Sequence, residues 1–144
     1  MEKSGRLVCV VPVYNEADLI VDTVEGLKKV ELIDEIVVVN DGSKDNTLDV
    51  IKTLNISIID LDKNYGKGHA MKKAIDTLEY DYITFIDGDL GETSIQVESL
   101  ILPVINGEAD VSIAKFPKRS DMTHTKGGFG GVRALAKKGV YFFT

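Results

Sequence analysis

Tyr82-Ile-Thr-Phe-Ile-Asp-Gly-Asp-Leu-Gly-Glu92 is an apolar, β-type run that breaks off in two carboxylates separated by a single glycine. The pattern predicts a strand over 82–86 with Asp87 and Asp89 at its carboxyl end. Two carboxylates this close repel each other, and burial penalises both charges, unless a cation sits between them. Hard oxygen donors of this kind suit Mg²⁺ or Mn²⁺, which bind substrate phosphates while keeping some of their waters. The plainer reading of the same residues is a strand followed by an Asp-Gly turn. Taken alone, the stretch leaves both open.

Runs of the same apolar character lie on either side, at 7–13, 35–40, 56–61 and 110–114. Continuous apolar strands require cover on both faces. The segments between them supply it: Leu19, Ile20, Val24 and Leu27, then Leu48, Ile51 and Leu54, then Met71, Ala74, Ile75 and Leu78 recur at helical spacing. Helix starts are expected at Asn15 with Asp18, at Asp45, and at Thr93 with Gln96 as a capping box. Pro103 is expected to kink or split the fourth helix. The alternation predicts a three-layer α/β/α architecture with a mostly parallel sheet, in which ligands bind outside the carboxyl ends of the strands. The polar clusters 12–16, 40–45, 62–68 and 87–92 all fall there. Residues 116–131 contain several glycines and read as a long loop, and 132–144 reads as a helix. No repeat or linker divides the chain, so residues 1–144 are expected to form one domain.

The 144 residues include 17 basic and 23 acidic side chains, a net charge of −6. That balance argues against nucleic acid as a partner, because such binding rests on lysine and arginine contacts to phosphates. An acidic protein that handles phosphate needs a metal ion or local cations. Cys9 is the single cysteine and sits inside an apolar run, so no internal disulfide forms and a reducing, cytoplasmic setting is expected. Glu2, Lys3 and Arg6 precede only a short apolar segment, and neither a signal peptide nor a membrane span is expected.

The first strand-to-helix connection carries neither Gly-x-Gly-x-x-Gly nor a P-loop. It reads Val11-Pro-Val-Tyr-Asn-Glu16, and the second strand ends in Val38-Val-Asn-Asp-Gly-Ser43. Asp41 is suited to accept a hydrogen bond from the N–H of a base, and Tyr14 offers an aromatic surface. Singly, each also reads as a turn or a helix cap.

Together, Pro-Val-Tyr-Asn-Glu, Asn-Asp-Gly-Ser-x-Asp-x-Thr, Asn64-Tyr-Gly-Lys-Gly68 and Asp-Gly-Asp, in this order, resemble the family 2 glycosyltransferases of GT-A fold. The resemblance runs from Leu7 to about Gly139 and is most specific between residues 10 and 92. Within that group the chain is similar to the polyprenyl-phosphate sugar transferases related to dolichol-phosphate mannose synthase. The resemblance implies a UDP- or GDP-linked sugar donor, and an acceptor that is a lipid phosphate or a glycan, in cell-envelope or glycan biosynthesis. It implies that Pro12, Tyr14 and Glu16 line the nucleoside pocket, that Asp41 binds the base, and that Gly66 and Lys67 flank the ribose or base. Asp87 and Gly88 would meet the ribose side of the donor, and Asp87 and Asp89 would hold the Mg²⁺ or Mn²⁺ that bridges the diphosphate. Lys115 and Arg133 are candidate phosphate contacts, and no general base is identifiable.

The chain departs from the family pattern in two places. Gly91 and Glu92 stand where a metal-holding glutamine commonly follows Asp-x-Asp-Leu, so Glu92 is a candidate substitute. Ile113-Ala-Lys115 replaces Gly-Ser-Arg, and Lys115 keeps the charge without bidentate phosphate geometry. Members of the family are normally longer, and the acceptor-side portion, about 116–144, is expected to be incomplete. Lys115, Lys118, Arg119, Lys126, Arg133, Lys137 and Lys138 concentrate positive charge near one end of the chain. They suit peripheral contact with anionic lipid at the cytoplasmic face of a membrane, or simply a solvated basic surface. The reading from a different class is a non-catalytic nucleotide-diphosphate-binding domain.

Overall fold

Strand β1 (Leu7–Val13) has all of its side chains buried, as befits a strand flanked by others and covered on both faces. It pairs in parallel with β2 (Glu35–Asn40) on one side and β4 (Tyr82–Ile86) on the other. With β3 (Ser57–Asp60), β5 (Val111–Ser112) and β6 (Val132–Lys137), the sheet has the order β3-β2-β1-β4-β6-β5. The computed structural model describes residues 4–114 and the backbone of residues 132–137. The helices are α1 (Ile20–Lys28), α2 (Thr47–Ile51), α3 (Lys67–Thr77) and α4 (Val97–Ile105), the last preceded by a 3₁₀ turn, Gly91–Gln96.

Alternation along β1 divides the core in two. Leu7, Cys9, Val11 and Val13 face α1, α2 and α4, while Val8 and Val10 join Ala70, Met71 and Ala74 of α3 on the other face. Burial pushes the Cys9 thiol far up, so it stays protonated and serves as a small apolar side chain. The expected α/β/α arrangement is observed, with β6 running antiparallel to β4 and β5.

The structure corrects several local expectations. Val132–Lys137 is a strand rather than the start of a helix, and residues 138–144 lie outside the described residues. Its Ala, Leu, Arg and Lys content favours a helix locally, but the open edge of β4 supplies a ladder that overrides propensity. Helix α4 runs through Pro103 and ends two residues later, and the break falls earlier, where the 3₁₀ turn gives way to α4 at Gln96 and Val97. Thr93 makes no capping box, and its hydroxyl instead donates to the Leu90 carbonyl at 2.6 Å. Asn15 does not cap α1. The amides of Leu19 and Ile20 donate to the Glu16 carbonyl, and Asn15 adopts a left-handed backbone (φ 53°) that turns its side chain elsewhere. Among the described residues, no helix is long and apolar enough to cross a membrane.

Candidate functional site

Parallel register brings the carboxyl ends of β1, β2 and β4 side by side, so the loops that follow them meet over one end of the sheet. With the loop after β3 they enclose a cleft of about 390 Å³, lined by Pro12, Val13, Tyr14, Glu16, Asp41, Asn64, Gly66, Lys67, Asp87, Gly88 and Asp89. That volume is within the range of small-molecule sites. The structure thus gathers around one cleft every described residue singled out for the nucleotide, together with Asp87 and Asp89. Val13 and Asn64 complete the lining. Lys115 lies outside the described residues, as does the side chain of Arg133. The Arg133 backbone is placed: Val132 pairs with Ile86 and Ala134 with Phe85, which leaves Arg133 as the extra residue of a bulge beside the carboxyl end of β4.

The first two loops are fastened to each other. Asn15 Oδ1 accepts from the Lys44 amide at 2.8 Å, and the Asn15 amide donates to Ser43 Oγ at 3.0 Å. The Glu16 amide donates to Thr47 Oγ1 at 3.0 Å, and the buried Thr47 hydroxyl in turn donates to Asp45. Those Thr47 donors hold the Asp45 carboxyl below its usual range. The spacing Asp45-x-Thr47 was legible as a helix start, but the reach of Thr47 across to Glu16 was not.

The third loop is held by Asp41. Its carboxylate is 3% exposed and accepts the Tyr65 amide at 2.9 Å on one oxygen and the Gly66 amide at 3.0 Å on the other. Each carboxylate oxygen has a second acceptor site, so this clamp leaves capacity for a base N–H. Gly42 follows at φ +67°, and a Cβ there would lie 2.3 Å from the Lys63 carbonyl carbon, so glycine is needed for the second and third loops to touch. Tyr65 donates its phenol to Asp62, which pushes its pKa up, and its ring stacks on His69 at 4.4 Å. His69 therefore braces the outside of this loop and is not part of the cleft lining.

At the floor, the Lys67 ammonium, from the first residue of α3, pairs with Asp87 Oδ1. Asp87 is 8% exposed, so a paired cation offsets the desolvation of its charge. Gly88 passes so close to β1 that a Cβ would lie 2.6 Å from Val13 Cγ1. Asp89 is different. Its Oδ1 is enclosed and has no hydrogen-bond partner, the one such side-chain atom among the described residues. Burial pushes the Glu16 carboxyl up, the negative charge of Asp89 pushes it further, and Lys67 opposes both. The cleft therefore holds an excess of negative charge around one unsatisfied oxygen, which fits a divalent cation. No group of three His, Cys, Asp or Glu side chains converges among the described residues. The protein thus offers a partial donor set of the sort that a Mg²⁺-class ion completes with phosphate oxygens and water. Glu92 does not complete it: Gly91, at φ +60°, turns the chain into the 3₁₀ turn, and Glu92 is exposed there.

Comparison with known proteins agrees with this architecture. An uncharacterised protein of Methanocaldococcus jannaschii is 31% identical, over 76% of this chain and 52% of its own length. The poly-β-1,6-N-acetyl-D-glucosamine synthase of Staphylococcus epidermidis is 35% identical over 53% of this chain and 20% of its own length. The chain thus spans about half or less of these relatives. Glucosyl-3-phosphoglycerate synthase from Mycobacterium tuberculosis, crystallised with Mn²⁺, UDP and phosphoglyceric acid, superposes with a TM-score of 0.74 at 20% identity, over 92% of this chain and 56% of that one. That likeness establishes a shared GT-A fold. The sequence model for glycosyl transferase family 2 matches residues 8–134, and the chain belongs to that family.

Proposed function

We infer that the chain forms the donor side of a glycosyltransferase that uses a nucleotide-diphosphate sugar with a divalent cation. The observation that carries this reading is Asp89 Oδ1, enclosed and without a partner in a cleft where Asp41 is held by two amides and Asp87 by Lys67. Asp87 and Asp89 are the residues that would hold Mg²⁺ or Mn²⁺. When bound, that cation supplies neutralisation of the charge that develops on a departing diphosphate.

The chain's own residues do the rest. Asp41 presents an acceptor for a base N–H from a fixed position, since Tyr65 and Gly66 hold both of its oxygens. Pro12, Tyr14 and Gly66 form the walls along which the nucleoside lies. Lys67, at the head of α3, carries a positive charge at the place where phosphate oxygens enter, and its exchange of Asp87 for phosphate orients the donor. Arg133, in the bulge beside β4, and Lys115 are the proposed further phosphate contacts. Inverting transfer to a hydroxyl needs a general base, whereas the oxygen of a lipid phosphate is already anionic and needs none. A lipid phosphate is accordingly the proposed acceptor, with a glycan as the other arm, and peripheral contact with the cytoplasmic membrane face accompanies the lipid arm.

Incubation with labelled UDP- and GDP-sugars and Mn²⁺, with polyprenyl phosphate or a glycan oligomer added, tests the proposal. Release of nucleoside diphosphate that rises with one acceptor supports it and identifies the acceptor. Nucleotide binding without release or transfer favours the non-catalytic reading.

A further inference from the structure

Thr23 lies in α1 with no exposed surface, on the same helix face as Ile20 and Leu27. A hydroxyl in that apolar face is unexpected from the core's point of view, and what it touches explains its presence. Thr23 Oγ1 donates to the Gly88 carbonyl at 2.7 Å, with the Leu19 carbonyl at 3.0 Å as the helical alternative, and accepts the Gly91 amide at 2.8 Å. One side chain thus grips the backbone on both sides of Asp89 and Leu90. The Thr23 carbonyl is itself bonded by the buried Ser94 Oγ at 2.7 Å, and Gly26 lets Ser94 come this close, since a Cβ there would lie 2.1 Å from that oxygen.

The geometry points to Thr23 as the positioning residue for Asp89, and through it for the divalent cation; this rests on the reading of Asp89 given above. The Gly88 carbonyl belongs to the same planar peptide as the Asp89 amide, so fixing that carbonyl fixes the axis from which the Asp89 side chain swings. The Gly91 bond fixes the other end of the bend. Threonine is stiff about χ1 and here is locked in a helix, so the grip does not follow the loop if the loop moves. Its hydroxyl touches neither nucleotide nor cation, and its effect passes entirely through where Asp89 Oδ1 is held.

Thr23→Val keeps the shape and removes the hydroxyl, and Thr23→Ser keeps the hydroxyl. Mn²⁺ binding in the presence of UDP or GDP, whichever the unaltered protein binds, read by the loss of the free-ion electron paramagnetic resonance signal, is expected to weaken tenfold or more in Thr23→Val, the scale of effect seen when groups that orient metal ligands are lost. Thr23→Ser is expected to restore most of that affinity, and affinity for the same nucleotide without metal is expected to stay the same in all three proteins. Should Thr23→Val not fold, Thr23→Ala removes the same hydroxyl in a better helix former and is read in its place. Unchanged Mn²⁺ affinity in the hydroxyl-free variant, with a lowered melting temperature alone, overturns the inference and makes Thr23 a structural residue. Failure of the unaltered protein to bind Mn²⁺ with UDP and with GDP alike overturns the assignment of Asp89 itself, and the inference with it.

Discussion

Both ends of the parallel sheet carry a row of carboxylates, and the two rows are used in opposite ways. At the amino ends of the strands, Asp34 accepts the Leu7 amide at 2.7 Å, Asp81 accepts the Arg6 amide at 2.7 Å, and Glu35 pairs with the Arg6 guanidinium while accepting Ser57 Oγ at 2.7 Å. These groups fasten the entry of β1 to its two neighbours. At the carboxyl ends, Asp41 clamps a loop and Asp87 pairs with a lysine that reaches in from α3, but Asp89 Oδ1 has nothing. Identical chemistry serves folding where amides or cations meet it, and at Asp89 Oδ1, where neither does, it is left for a ligand.

Removing one member from each row separates the two uses. Asp89→Ala is expected to weaken binding of the preferred nucleotide, UDP or GDP, in Mn²⁺ by about 100-fold, or about 2.7 kcal/mol, the largest effect foreseen. Its melting temperature, by calorimetry, should be unchanged or raised, because no hydrogen bond is lost. A clear fall in stability would break the contrast. Gly42→Ala comes next: with a Cβ 2.3 Å from backbone and φ at +67°, urea unfolding should show a loss of roughly 1–3 kcal/mol and nucleotide binding should weaken as the Asp41 clamp loosens. Asp34→Ala, from the opposite row, should lower stability by about 1 kcal/mol and leave UDP affinity with Mn²⁺ untouched.

The smallest effect concerns pH. Asp45 is held below its usual range by donors from Thr47, so its contribution to stability is fully present above the unfolded value, about 4, and is lost as pH falls through the lowered one. Asp45→Asn should therefore be slightly less stable than the unaltered protein at pH 7, with the gap closing in unfolding curves below about pH 4. A gap that persists at low pH would mean that the charge plays no part.

Legibility in the sequence followed the locality of the signals. Strands β1, β2 and β4 were legible to the residue because their apolar runs end in polar turns, and the carboxyl-end rule then assembled the cleft from four separate loops. Strand β6 was not, because Val132–Lys137 has helical composition and acquires its conformation from β4, which is distant in sequence. Asn15 was misassigned for a related reason: Asn before a helical pattern signals a cap, and nothing local shows that its oxygen bonds to Lys44. Thr23 left one trace, a hydroxyl residue in step with Ile20 and Leu27 on a buried stripe. Spacing alone does not say that its partners are Gly88 and Gly91.

Titration calorimetry of the chain with UDP and with GDP, each with and without Mn²⁺, tests the central claim most directly. One of the two nucleotides is expected to bind, at least tenfold more tightly with Mn²⁺, and Asp89→Ala is expected to abolish this gain. Absence of binding by both nucleotides, or affinity indifferent to Mn²⁺, would contradict it.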